Sequence, residues 1–135
     1  MCIILEQENK VLLIRHYSTG YRDGEYTLPA GHVDPNETFL TTCVREAKEE
    51  VCVDIDRKDL KLVHTMQRHE KELDYVDYYF LVQKWQGEPK IGEPHKCNDL
   101  KWINKNEVKN HAIHFISKAL EHVLEDVLFS HDGIE

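Results

Sequence analysis

The sequence predicts an α+β fold, an α/β/α sandwich on a mixed central sheet, and three observations carry that prediction. Short β-type runs rich in Val, Ile, Leu and Tyr recur between polar turns. Two stretches repeat apolar residues at the period of a helix laid on a sheet: Leu40, Cys43, Val44, Ala47 and Val51, then Ile113, Ile116, Leu120, Val123 and Val127. The run 75–82 alternates Val76, Tyr78, Phe80 and Val82 with Tyr75, Asp77, Tyr79 and Leu81, so nearly both its faces are apolar. A strand of that kind is covered on two sides, and strands with one helix for each face stack as three layers.

Taken in order, residues 2–6 and 11–15 form a hairpin across the polar turn Gln7-Glu8-Asn9-Lys10. Residues 16–27, with Gly20, Asp23 and Gly24 among polar neighbours, are a loop leading to a short strand near Tyr26-Thr27-Leu28. Tyr21, Arg22 and Tyr26 stand there as residues to frame a base or ribose. After the first helix, residues 60–66 and 75–82 are strands joined by the charged turn around Glu70-Lys71-Glu72, and the second belongs at the centre of the sheet. Residues 85–99 hold two Gly-Glu-Pro triplets, and their prolines bar a central strand, so this is a long loop. Leu100-Lys101-Trp102-Ile103 is a last strand, a long amphipathic helix runs over 112–127, and the polar tail from Ser130 is expected to fray.

A length of 135 residues suits one domain with a real core. With 41% hydrophobic and 31% charged residues the composition is that of a soluble globular protein. No run approaches a membrane span and the start lacks the basic opening of a signal peptide, so the expected location is the cytoplasm. Cys2, Cys43, Cys52 and Cys97 show no C-x-x-C spacing and read as reduced thiols. The nine histidines are scattered; His111/His114 and His64/His69 read as surface or packing residues. A net charge of −8 excludes a basic nucleic-acid surface, yet it admits a nucleotide whose phosphates meet carboxylates through divalent cations.

The first helix adds a feature that folding alone does not need. Glu46, Glu49 and Glu50 fall at i, i+3 and i+4 and share one arc of roughly 100° beside the apolar stripe. Carboxylates so placed repel one another unless they are solvated or gathered around cations. Taken alone, such a segment is an ordinary solvated face, with Arg45 and Glu49 as an i, i+4 pair. The wider spacing decides otherwise, because Gly31, Glu37, Arg45, Glu46, Glu49 and Glu50 fix six positions that chance would supply about once in ten million windows.

At these positions the chain resembles the Nudix hydrolases, whose box reads G-x5-E-x7-R-E-U-x-E-E-x-G-U with U aliphatic; Leu28-Pro29-Ala30-Gly31 is similar to the usual lead-in. Three positions depart from the pattern: Cys52 stands for the second glycine, Ala47 for the aliphatic residue, and Asn36 where glycine is common. A φ > 0 at Cys52 would cost on the order of 1–2 kcal/mol without removing a carboxylate, and Asn tolerates that region well. The resemblance implies the Nudix α/β/α fold, and a first strand shorter than usual, at the sheet edge.

The resemblance also implies a site. Glu46, Glu49, Glu50 and the carbonyl oxygen of Ala30 would hold Mg2+, with Mn2+ as a possible substitute, and Glu46 would be the general base or the carboxylate nearest the nucleophile. Gly31, Glu37 and Arg45 would be structural, Arg45 holding Glu37 by a charge-assisted hydrogen bond. Arg15 would lie near the substrate phosphates. Residues 85–99 resemble a loop that lies against the substrate in some small Nudix proteins, where Glu93 first and Asp99 second would contact a metal, read the base or act as base.

The marks that accompany ADP-ribose or dinucleoside polyphosphates in the family are absent, Arg68 and His69 standing there. By elimination the chain resembles a MutT-type enzyme that cuts a nucleoside triphosphate to a monophosphate and pyrophosphate. Another nucleoside diphosphate derivative (a nucleotide sugar, ADP-ribose, a dinucleoside polyphosphate), a non-catalytic nucleotide sensor, and a homodimer stay open.

Overall fold

Seven strands and two helices make up a computed structural model that describes residues 1–134. The strands are β1 (Cys2–Gln7), β2 (Lys10–His16), β3 (Tyr26–Thr27), β4 (Lys61–Glu70), β5 (Leu73–Val82), β6 (Cys97–Asn104) and β7 (Phe129–Asp132); the helices are α1 (Phe39–Val51) and α2 (His114–Leu124). They form one mixed sheet in the order β3-β2-β1-β5-β4-β7, with β6 also paired to β2. β1 is antiparallel to β2 and parallel to β5, and β4 is antiparallel to β5 and parallel to β7. Among the described residues no helix is long and apolar enough to cross a membrane.

The period-two alternation distributes the core to both faces. Cys2 and Ile4 join Leu13, Met66 and Tyr79 under Phe115, Ile116, Ala119 and Leu120 of α2. Ile3 and Leu5 join Leu12, Ile14 and Val82 under Cys43, Ala47 and Val51 of α1. The expected three-layer sandwich is therefore the observed one. β5 is central, as its two apolar faces require.

Four expectations are corrected. β1 is not at the sheet edge: it lies between β2 and β5, and Ile3, Ile4 and Leu5 are buried on both faces. The last helix is shorter than its apolar repeat, ending at Leu124 where Glu125 caps it and Asp126 turns left-handed at φ 57°. In the tail expected to fray, Ser130 to Asp132 belong to β7, paired with β4, and His64 on β4 meets the Val127 carbonyl through Nδ1 at 2.7 Å and the Ser130 hydroxyl through Nε2 at 2.7 Å; Glu135 lies outside the described residues. The Ser130 hydroxyl and the Asp132 carboxylate find partners in His64 and His114, so these polar side chains are held by protein. The strand expected at 100–103 runs from Cys97 to Asn104.

The long loop before β6 is tied to the end of α1, with the Lys90 N–H donating to Val51 O at 3.1 Å and the Gly92 N–H to Glu50 O at 2.9 Å. A Cβ at Gly92 would lie 2.1 Å from the Glu49 carbonyl oxygen, so only glycine permits this approach. Glu93 is thereby delivered beside the acidic turn of α1. All four cysteines are free, with Cys2, Cys43 and Cys97 buried.

Candidate active site

Helix α1 is held at both ends by local chemistry. Thr38 is its N-cap, accepting the Thr41 N–H at 3.1 Å, and Asn36 just before it takes φ 65°. At the other end Cys52 adopts φ 61°, ψ 31° and its N–H reaches Lys48 O at 3.2 Å. The left-handed cap is built without glycine.

The loop-to-helix junction is a knot around Arg45. Its Nε and Nη2 donate to the two Glu37 oxygens at 2.8 and 2.9 Å, its Nη1 to Glu46 Oε1 at 2.7 Å, and Nη2 also to the His32 carbonyl at 3.1 Å. Glu37 further accepts the Thr42 hydroxyl at 2.7 Å and the Asp34 N–H at 3.1 Å. These donors, Arg45 foremost, pull the Glu37 carboxyl down to about 2.

The three acidic side chains share their arc but differ in depth. Glu49 is half exposed and meets Arg45 only at 3.4 Å. Glu46 is buried against Gly31, where an added Cβ would lie 2.1 Å from the Glu46 carboxyl carbon, so that carboxylate occupies the space a side chain would need. Glu50 is half-buried and accepts the Ala30 N–H at 3.2 Å. Burial first, then the charges of Glu46 and Glu93, push its carboxyl well above the ordinary carboxylate range, against the opposing pull of that N–H.

A carboxyl held so is stabilised by a proton or by a cation. The turn 29–31 is tied to β1 through the Pro29 carbonyl and the Gly31 N–H, which leaves the N–H and carbonyl of Ala30 directed away from β1. The N–H meets Glu50, and the all-oxygen set of Glu46, Glu49, Glu50 and the Ala30 carbonyl suits a hard divalent ion. Among the described residues no three His, Cys, Asp or Glu side chains converge as a finished cage, Glu46 being turned onto Arg45.

Glu50 stands where two cavities meet. A cleft of about 460 Å³ runs from Glu50, Ala30 and Gly31 along the open end of the sheet to Arg68, Tyr75 and Phe115. A smaller cavity of about 80 Å³ lies between Glu50, Glu93 and Lys96. Glu93 is thus brought to the acidic turn, with Lys96 3.7 Å from it. Arg15 is not brought to either cavity: its Nε donates to Asn98 at 2.7 Å and its guanidinium lies over the Tyr26 ring. Asp99 accepts from the Tyr26 hydroxyl on that side. Arg22 stands behind the cleft, ion-paired with Glu70 and 5.3 Å from the Phe115 ring centroid.

Sequence reasoning missed Arg68, Tyr75, Asp77 and Phe115 as lining residues. The signal for three of them was parity, since the β4–β5 register places Arg68 opposite Tyr75 and period two sets Asp77 on the same face.

Comparison with known proteins gives the same direction. The NUDIX domain matches residues 1–124. The chain is 25% identical over 107 residues to the 8-oxo-dGTP diphosphatase of Escherichia coli strain K12, covering 78% of this chain and 81% of that protein. It is 31% identical over 93 residues to the ADP-ribose pyrophosphatase of Methanocaldococcus jannaschii, covering 69% of this chain but only 54% of the relative, so it spans about half of that protein's length. The crystal structure of a MutT NUDIX hydrolase from Burkholderia pseudomallei superposes with a TM-score of 0.80 at 24% identity over 89% of this chain and 92% of that one, a likeness of fold.

Proposed function

We propose, because this chain belongs to the NUDIX family of hydrolases, that it is a single catalytic unit over residues 1–135 that hydrolyses a nucleoside triphosphate to the monophosphate and pyrophosphate. The observation that carries this reading is the buried Glu46 packed on Gly31 next to Glu50, which meets the Ala30 N–H and lines a cleft roomy enough for a nucleotide. Glu46, Glu49, Glu50 and the Ala30 carbonyl would hold Mg2+, or Mn2+ in its place, which when bound neutralises phosphate charge and acidifies a water. Glu46 accepts the proton of the attacking water, its carboxylate already aimed by the 2.7 Å bond from Arg45. Glu93, next to Glu50 across the smaller cavity, is the other carboxylate placed to take that proton. Arg45 and Glu37 keep the junction rigid, so Glu46 is oriented before substrate arrives.

The similarity to an 8-oxo-dGTP diphosphatase supports a triphosphate substrate. A second reading, cleavage of a diphosphate bridge as in ADP-ribose, is favoured only by the similarity to the archaeal ADP-ribose pyrophosphatase. Incubating the purified protein with Mg2+ and a panel of nucleoside triphosphates, nucleotide sugars and ADP-ribose, with pyrophosphate read through a coupled pyrophosphatase and the sugar phosphate and monophosphate through a coupled alkaline phosphatase, separates the two. Pyrophosphate released from triphosphates supports the first. Nucleotide binding with no turnover of any compound would make the protein a sensor.

A further inference from the structure

At the far end of the cleft from Glu50, Arg68 is held in an arrangement that the phosphate chemistry does not use. The side chain is buried, with its guanidinium carbon 4.3 Å from the Tyr75 ring centroid and 4.2 Å from that of Phe115. Guanidinium planes stack on aromatic faces at such distances, so Tyr75 and Phe115 hold Arg68 in place where it lines the cleft. Carboxylates fix it in plane: Nε donates to Asp77 Oδ2 at 2.7 Å, Nη2 to Asp77 Oδ1 at 3.4 Å and Nη1 to Glu70 Oε2 at 2.6 Å. Glu70 is pinned in turn by Arg22 and by the Tyr21 hydroxyl at 2.8 Å.

Two arguments exclude a phosphate here. The charges of Arg22 and Arg68 are matched by Glu70 and Asp77, which leaves no excess positive charge for an anion. The cleft also carries apolar Phe115, Ile113, Ile116 and Val76, and its other charged side chains, Glu50 and Asp77, are anionic and repel a phosphate. A flat, uncharged group suits the cleft beside Arg68. Of the five guanidinium N–H groups three are engaged, which leaves one on each terminal nitrogen.

We infer that Arg68 is the base-reading residue, and that it selects bases presenting two adjacent acceptors on one edge. Guanine does so with O6 and N7, and cytosine with O2 and N3. Adenine sets a donor beside N7, uracil sets a donor between its two carbonyls, and a guanine oxidised at C8 carries a hydrogen on N7; each opposes one N–H of the pair with another. The assignment rests on the pyrophosphohydrolase reading above and narrows its substrate to guanine or cytosine nucleotides that are not oxidised at C8. Arg68 touches the base and not the reacting phosphorus, so discrimination appears in KM more than in kcat.

The test uses the intact protein with Mg2+ and six triphosphates: GTP, CTP, ATP, UTP, 8-oxo-GTP and 7-deaza-GTP, the last lacking only the N7 acceptor. kcat/KM for GTP and CTP is expected to exceed that for ATP, UTP and 8-oxo-GTP by at least about tenfold, and 7-deaza-GTP to fall by about tenfold from GTP. Equal rates for GTP and 7-deaza-GTP, or ATP, UTP or 8-oxo-GTP turned over as well as GTP, overturn the assignment. Arg68→Gln should bring all bases within about threefold of one another, whereas Phe115→Leu should weaken all of them alike; an unchanged base ratio in a folded Arg68→Gln protein also overturns it. If no triphosphate is cleaved the pyrophosphohydrolase reading falls, and dissociation constants for GMP, CMP, AMP and UMP still decide the base reading by the same order.

Discussion

Glu37 and Glu50 belong to one motif and one helix junction, yet their surroundings drive them in opposite directions. Glu37 receives two N–H groups from Arg45, the Thr42 hydroxyl and a backbone N–H, and its carboxyl is pulled down to about 2. Glu50 receives one backbone N–H, is partly withdrawn from water, and has Glu46 and Glu93 as neighbours, so its carboxyl is pushed well above the usual range. The first carboxylate is a finished structural ion. The second lacks positive charge, and the lesson is that motif membership says less about a carboxylate's role than the count of donors around it.

Neutralising Glu50 tests the contrast where it is sharpest. Glu50→Gln keeps the shape and the bond from the Ala30 N–H but removes the charge, and kcat should fall by at least about a hundredfold in steady-state assays with Mg2+. Thermal unfolding without divalent ions should be unchanged or shifted upward, because a buried like-charge contact is relieved. A variant with near-normal rate would remove Glu50 from the site. Glu37→Gln is the mirror experiment, since it strips the bidentate partner from Arg45. Here the melting temperature should fall, and kcat should drop by about tenfold as Arg45 ceases to aim Glu46. A rate loss as large as that of Glu50→Gln, with no loss of stability, would erase the distinction between the two.

The distinction was half legible in the sequence. The spacing of Glu46, Glu49 and Glu50 on one arc and the Arg45–Glu37 pair follow from helix geometry and motif, and the left-handed turns at Asn36 and Cys52 follow from their places at the helix ends. Depth did not follow, because it depends on Gly31 lying against Glu46 and on the loop that Gly92 lets down over Glu49. The strand at the tail was hidden because the hydrogen-bonding partner of Ser130 is His64, 66 positions away. Arg15 was placed near the phosphates by its position at the end of β2, whereas the pleat turns it toward Tyr26.

The same pair sets the pH dependence of stability. Glu50, raised in the folded state, contributes most below its unfolded value near 4.5, and that contribution is lost as pH rises through the higher folded value. Glu37, lowered in the folded state, contributes fully above 4.5 and is lost as pH falls from there toward about 2. Denaturant titrations across pH without divalent ions should therefore show stability declining on the alkaline side, and added Mg2+ should restore it there while leaving the acid limb in place. Restoration at acid pH as well would place the ion away from Glu50.

The smallest expected effect lies at the end of the same helix. Cys52 holds φ 61° with a Cβ, a conformation that costs about 1 kcal/mol relative to glycine. Against this, its sulfur lies close to Gly92 of the loop that carries Glu93, and Cys52→Gly removes that contact. The half-buried sulfur makes the packing loss smaller than the backbone relief, although glycine also widens the unfolded ensemble. Cys52→Gly should raise the melting temperature by about 3 °C and leave turnover within about twofold. A drop in kcat with stability raised would mean that the sulfur, through the loop, holds Glu93 in place beside Glu50.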